Sequence, residues 1–359
     1  MLRSVMLLNG ICFVAICSEC QSNTTLTDVR TAWLRRQRAT TNLDVSWEQV
    51  RQVPHRPGGN MPTSRTMTSR FVFENGMYRF ENDGPQRRGT EKGIFYVDTD
   101  YVSTFNSSDC KSFFGVHVDD DEHLFPVGFV SAESNFPEFG NVNLIPLLMF
   151  YRGCTSELVP FDMNASVIAA NVVVAHKHKC YRLIPKDHAR TEVEVIVDPR
   201  CEYAPISITR KENRVPLYTV EMGYASSADG ALVPTSWTIE TFRPLDETLL
   251  HVTTAVVKAH SVNVEIPPGT FAFHFPEGTV VRDLKEDSKY LVRGNHDKRE
   301  ILDDETARGA TYRELLESES GMARADHRFA RWEYLIWYCG GLMALSLVCV
   351  LAIRRRMKR

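Results

Sequence analysis

The stretch that decides the fold is Arg70–Asp83, RFVFENGMYRFEND. Asn75-Gly76 is a strong two-residue hairpin signal, because a type I′ turn needs positive φ at both central residues. With that turn in place the register follows: Glu74 faces Met77, Phe73 faces Tyr78, Val72 faces Arg79, Phe71 faces Phe80 and Arg70 faces Glu81. Directly opposed residues share a face, so Phe71, Phe73, Tyr78 and Phe80 form one cross-strand aromatic cluster. The other face carries Arg70, Glu74, Arg79 and Glu81, with Val72 and Met77 among them. One face is dry and one wet, as in an antiparallel sheet solvated on one side. The dry face reads either as ordinary core or as the wall of a cavity for an apolar ligand.

The 359 residues carry a formal net charge of −3, which leaves no electrostatic footprint for nucleic acid. A hydrophobic content of 43% is ample for a globular core. Residues 1–20 read as a secretory signal: Arg3, then the short apolar run VMLLNGICFVAIC. At the other end Leu335–Ile353 is uncharged for 19 residues, which at about 1.5 Å per residue nearly spans a bilayer. Trp332, Tyr334, Trp337 and Tyr338 make an aromatic belt, and the basic tail RRRMKR puts residues 354–359 in the cytoplasm. A cleaved C-terminal sorting signal has the same pattern and stays open. Gly340 and Ala344 form a small-xxx-small pair, a route to a homodimer. The domain plan is then signal 1–20, an extracytoplasmic or periplasmic β-rich domain 21–303, a solvated helical juxtamembrane stalk 304–333, a single-pass span 334–353 and the tail. The protein is expected in the membrane with its N-terminal domain outside the cytoplasm.

Within the exported part, Thr27 caps an amphipathic helix over residues 27–38, and LDVSW alternates Leu43, Val45 and Trp47 as a strand. Pro54–Ser64 is a loop. GIFYVDTDYVSTF, residues 93–105, reads as a second hairpin turning near Asp98–Asp100. Residues 143–158 read as a buried helix. SVIAANVVVAHKHKCYRLI and TEVEVIVDPRCEYAPISI read as two long strands joined by a turn at Lys186–Ala189. PLYTVEMGYA, TSWTIETF and TLLHVTTAVVKA continue the meander. GTFAFHFPEGTVVRD puts Phe271, Phe273 and Phe275 on one strand face, and KYLVRGNHDKREIL is a last short strand pair. The sum is an α+β, mainly β chain with about ten antiparallel strands and few helices. A sheet of that size curls, and the two helices are available to plug its apolar face.

Several pieces resemble the exported lipoprotein-carrier (LolA/LolB-like) domains, especially planctomycete-type membrane-anchored relatives: TAWLRRQRATTNLDVSW, FVFENGMYRFE, YVSTF, IVDPRCEYAPISI and FAFHFPEGTVVRDLKEDSKYLVRG. Together they run through most of residues 25–302. The resemblance implies a half-barrel antiparallel sheet capped by helices, with an apolar concave face that holds acyl chains. Unlike a freely shuttling carrier, this chain ends in an anchor, so it fits an anchored acceptor of lipid or lipoprotein. Trp33, Trp47, Phe71, Phe73, Tyr78, Phe80, Phe271, Phe273 and Phe275 are the expected pocket wall; each also reads as plain core.

Chemistry is thinly signalled. On one strand His176, His178 and Cys180 would share a face, as weak zinc ligands lacking a placed fourth. Four cysteines lie outside signal and span, and Cys110, Cys154, Cys180 and Cys201 allow three connectivities. Cys180 with Cys201 is the preferred pair. The acidic run VDDDEH, residues 118–123, lacks EF-hand spacing and reads as a solvated loop. Asn23, Asn106 and Asn164 are N-x-[ST] sequons. G-x-S-x-G, P-loop, H-E-x-x-H and G-x-G-x-x-G motifs are absent, so no cofactor and no enzyme are expected. The reading is a non-enzymatic binder of an apolar ligand. Its alternatives are a structural or interaction protein of the envelope with a fully packed sheet, and a metal-dependent hydrolase on the His176 strand.

Overall fold

The computed structural model describes residues 25–53, 64–90, 93–115, 125–132, 142–155, 159, 161–169, 173–175, 178–186, 191–227, 230–244, 247–303, 305 and 312–317. The expected signal, the expected span, VDDDEH, His176 and Asn23 lie outside them. No helix among the described residues is long and apolar enough to cross a membrane. The chain divides into two compact units: Met1–Leu43 with Trp47–Arg65 and Pro137–Asn263, and Asp44–Ser46 with Thr66–Phe136 and Val264–Arg359. It is mainly β with few helices, and among the described registers the strand pairs are antiparallel except for one.

In chain order the elements begin with α1 (Leu26–Ala39), β1 (Asn42–Gln52), β2 (Ser64–Glu74), β3 (Met77–Thr90), β4 (Gly93–Phe105), β5 (Cys110–Phe114) and β6 (Val127–Ser131). There follow α2 (Ile145–Arg152), β7 (Ser166–Ile168), β8 (Val173–Ala175), β9 (His178–Pro185), β10 (Thr191–Asp198), β11 (Ala204–Glu212), β12 (Val215–Ser226), β13 (Leu232–Phe242) and β14 (Leu249–Val262). The last are β15 (Val280–Asp283), β16 (Ser288–Val292), β17 (Lys298–Glu300) and α3 (Tyr312–Glu317).

In the first unit β9 to β14 form an antiparallel meander, with β7 and β8 on β9 and β1 beside β14. Helix α1 is capped by Thr25, not Thr27: the Thr25 hydroxyl accepts from the Asp28 amide, and Asp28 answers on the Thr25 amide at 2.7 Å. Trp33 buries its indole and donates Nε1–H to the Tyr203 carbonyl at 2.6 Å. The Arg36 guanidinium lies 4.2 Å from the Phe150 ring centroid and donates to the Glu202 carbonyl. Helix α2 is shorter than residues 143–158, but all eight of its residues are buried, as an apolar helix inside a protein should be. Leu43, Val45 and Trp47 alternate inward as expected, and Trp47 meets Trp237 edge-on at 5.4 Å.

The two long strands expected from Ser166 and Thr191 are broken. β8 and β9 are antiparallel partners, with Ala175 opposite His178, so the expected single strand is two strands, and His176 lies outside the described residues. The second run splits at Asp198, whose side chain accepts from the Arg200 amide, and the chain reverses through Glu202 and Tyr203 at positive φ. Cys110, Cys154 and Cys201 are free thiols, and Cys180 is buried in β9. The preferred Cys180–Cys201 bridge is not formed: the β9–β10 register closes at Tyr181 opposite Val197, and Cys201 lies beyond it in the 3-10 turn.

In the second unit the strand order is β2-β3-β4-β5-β6-β15-β16-β17, antiparallel save for the parallel pair β6 and β15. The opening hairpin has the register read from the sequence, from Arg70 opposite Glu81 to Glu74 opposite Met77. Asn75 and Gly76 sit at φ 49° and 83°. Phe71, Tyr78 and Phe80 are buried and Phe73 half-buried, and Phe80 packs edge-on against Tyr101. The face expected to be wet is partly covered, for Val72 is buried and Arg79 donates to the Thr270 carbonyl at 3.1 Å. Arg70 pairs with Asp44 through two prongs of 3.0 and 2.7 Å.

Two other expectations are corrected. Residues 93–105 form one strand, not a hairpin turning at Asp98–Asp100, because β3 runs on past Gly84-Pro85 and pairs with β4 as far as Thr90 opposite Gly93. Gly84, at φ 134°, makes that continuation possible: a Cβ there would meet the Met67 side chain at 2.9 Å. Phe271–Phe275 is not a strand but an irregular segment behind tight turns at Pro267–Thr270 and Gly269–Ala272. Pro267, Pro268 and Pro276 bracket it and withhold ladder donors. The final strand pair β16–β17 is present. Leu315 of α3 packs with Val280, Leu291 and Ile301 and Glu305 is buried, so these residues of the expected stalk are not solvated.

Gly76 has open space around a notional Cβ, whereas a Cβ on Gly153 would stand 2.6 Å from both the Met149 carbonyl and Trp33. In urea denaturation Gly76→Ala is therefore expected to lose about 1–2 kcal/mol from backbone strain alone. Gly153→Ala is expected to lose about 1–3 kcal/mol through displacement of Trp33. An unchanged midpoint for Gly76→Ala contradicts the type I′ turn.

Candidate functional site

The second unit holds an open cleft of about 230 Å³. Its apolar floor comes from Val130 on β6, Tyr290 and Val292 on β16, and Phe273 and Phe275 on the irregular segment. The floor is part of a packed cluster of Phe113, Val130, Phe275, Val281, Tyr290 and Val292, with Phe273 against it. Phe273 meets Phe275 edge-on at 5.4 Å and Phe113 at 5.8 Å. The ring of Phe275 occupies the place where a Cβ on residue 128 would stand: a notional Cβ on Gly128 lies 2.5 Å from Phe275 Cε1. The glycine at the second position of β6 therefore leaves room for the Phe275 ring.

The rim is charged on both signs. Lys111 on β5 donates Nζ–H to the Phe273 carbonyl at 2.9 Å and so ties the irregular segment to the strand beneath it. Lys285 pairs with Asp109 at 2.5 Å, and that partner holds its ammonium above the ordinary lysine range. Asp283 is buried at the β15–β16 turn, where Oδ1 accepts from the Lys285 and Glu286 amides at 3.0 and 3.2 Å. Lys298 on β17 lies 4.5 Å over the Tyr290 ring. The imidazoles of His274 and His296 face one another, centroids 5.1 Å apart, His296 being held at φ 62° in the turn before β17. Burial first, then the Asp283 and Glu286 carboxylates, push the Tyr290 hydroxyl up to about 12.

Of the nine aromatics expected to wall a pocket, Phe273 and Phe275 line this cleft. Phe71, Tyr78, Phe80 and Phe271 are buried elsewhere in the second unit and Phe73 is half-buried there; Trp33 and Trp47 are buried in the first. The charged rim was not singled out from sequence. Its residues stand on β5, the irregular segment, the β15–β16 turn and β17, and no local spacing links them. Among the described residues no three His, Cys, Asp or Glu converge as metal ligands. The His178 side chain lies outside the described residues, and Cys180 is buried. Burial raises the Cys154 and Cys201 thiols above their ordinary value, which makes them poor nucleophiles at neutral pH.

No family model and no curated protein sequence matches the chain. Among solved structures the chain is similar to an outer membrane lipoprotein-sorting protein domain from Vibrio parahaemolyticus. That likeness has 10% identity and a TM-score of 0.41, covering 69% of this chain and 96% of the other. A DUF1329 family protein from Desulfovibrio piger is similar at 11% identity and a TM-score of 0.42, over 69% and 98% of the two chains. A LolA superfamily protein from Nitrosomonas europaea is similar at 8% identity and a TM-score of 0.39, over 70% and 98%. These are distant likenesses.

The raised Tyr290 hydroxyl has a stability consequence. Between the ordinary value of 10.0 and about 12 the unfolded chain releases this proton while the folded chain keeps it. The stability tied to this proton is fully present below pH 10 and is lost as pH rises through that window. Tyr290→Phe is expected to make the alkaline decline shallower in urea denaturation across pH 9 to 12; an unchanged slope contradicts the assignment.

Proposed function

We propose that the chain is an exported, membrane-anchored, non-enzymatic protein whose second unit binds part of an amphiphile, a lipid or an acylated protein. One observation carries the reading: the cleft sets an aromatic floor beneath a rim of ammonium and carboxylate groups. That is the arrangement an amphiphile matches, apolar body below and charged end above. At about 230 Å³ the cleft is smaller than the roughly 300–1,000 Å³ of sites that enclose a whole ligand, so it suits a head group or the end of a chain. The apolar N-terminal run and the uncharged 19-residue stretch before the basic tail support export and anchoring. A curved, half-barrel sheet, a single-pass topology with the C-terminus in the cytoplasm, and pairing through Gly340 and Ala344 belong to the same proposal.

A second reading, an envelope protein whose sheets are packed by their own side chains, is favoured by the burial of Phe71, Tyr78 and Phe80 against neighbouring rings such as Tyr101. On this reading the hairpin aromatics are core and the cleft is incidental.

The two are separated by photolabelling. The full chain in an uncharged detergent is mixed with a diazirine fatty acid, irradiated and mapped by peptide mass spectrometry. The proposal expects adducts within residues 271–275, reduced severalfold by Phe273→Asp. Adducts confined to residues 334–353 favour the packed envelope protein.

A further inference from the structure

The rim of the cleft is balanced rather than basic or acidic. Asp109 and Lys285 neutralise each other in a 2.5 Å pair. What remains is two ammoniums, Lys111 and Lys298, against two carboxylates, Asp283 and Glu286. Lys111 uses one donor on the Phe273 carbonyl and keeps two. Lys298 lies over the Tyr290 ring, with all three N–H donors left for another acceptor. Asp283 is fixed by two backbone amides through one oxygen, which leaves the other oxygen as an acceptor. Glu286 is exposed at the rim. Both carboxylates are near enough to raise the Tyr290 hydroxyl, while Lys298 covers the same ring, so the two signs meet around one aromatic side chain.

A simple anion entering here gains the two lysines but meets Asp283 and Glu286, and a simple cation meets the reverse. A molecule bearing both charges, separated by a short linker, satisfies both pairs and leaves no desolvated charge unpaired. The aromatic rings of Tyr290 and Phe273 add a favourable surface for an ammonium. We propose that this cleft recognises a small zwitterion, an ammonium and a phosphate or carboxylate on one short linker, with the anion toward Lys111 and Lys298 and the ammonium toward Asp283, Glu286 and the aromatic floor. The inference deepens the amphiphile reading and rests on it: the zwitterion is then the head group of a lipid. The same chemistry in a free solute is the other source.

The test is calorimetric titration of the full chain in an uncharged maltoside detergent. Glycerophosphoethanolamine is the zwitterion, glycerol phosphate the anion alone, ethanolamine the cation alone, and dihexanoyl phosphatidylethanolamine the acylated form. Saturable binding of the zwitterion, about tenfold or more tighter than either fragment, is expected. Lys298→Gln and Glu286→Gln should each weaken it about tenfold with unchanged circular dichroism and melting, since both side chains are exposed. Tighter binding of the acylated form, lost in the same two variants, identifies a lipid; equal affinity identifies a free solute. The inference is overturned if either fragment binds as tightly as the zwitterion, or if no compound binds. Photolabelling of residues 271–275 that persists without zwitterion binding overturns the head-group inference alone. Loss of both overturns the amphiphile reading as well.

Discussion

The second unit depends on a phenyl ring seated where a side chain is missing. β6 and β15 are the parallel pair in an otherwise antiparallel arrangement, and Gly128 stands in the joint opposite Val281. Residues 127–131 and 280–283 are far apart in sequence, so the joint is a costly loop closure that local hairpins do not need. Phe275 packs onto the bare backbone of Gly128 and joins Phe113, Val130 and Val281 in one cluster. Burying a phenylalanine is worth about 1.5–3 kcal/mol, which offsets a good part of that closure. The same ring forms the floor of the cleft, so the residue that closes the joint also gives the candidate site its apolar surface.

The local part of this architecture was legible in the sequence. Asn75-Gly76 fixes the opening hairpin down to each opposed pair, because positive φ at two successive residues leaves the turn few alternatives. Leu43, Val45 and Trp47 show their alternation plainly, and the apolar run within 143–158 shows a buried helix, though not its bounds of Ile145–Arg152. Illegible were the features in which one pattern has two physical readings. Phe271, Phe273 and Phe275 alternate like a strand, yet flanking prolines deny the segment a ladder and the rings turn inward from irregular backbone. Residues 166–184 are apolar enough for one strand, yet β7 and β8 within them are separate antiparallel partners of β9. The charged rim escaped because long-range register, not spacing, brings Lys111, Asp283 and Lys298 together.

The distribution of aromatics separates packing from binding. In the opening hairpin Tyr78 and Phe80 meet other rings and are closed to solvent, so they stabilise the sheet. At the cleft Phe273 and Phe275 are held by Lys111 and Gly128 beneath charges of both signs. The ammonium of Lys111 thus has two roles: it anchors the backbone of the irregular segment and presents its remaining donors at the rim.

The claim that Gly128 and Phe275 act as one unit is tested most directly by a double-mutant cycle on unfolding free energy. Gly128→Ala should cost about 1–3 kcal/mol with Phe275 present, from overpacking, and nearly nothing in a Phe275→Ala background, where the new methyl group has room. That outcome gives a coupling of the same size. Additive costs, with Gly128→Ala equally damaging in both backgrounds, would contradict the account.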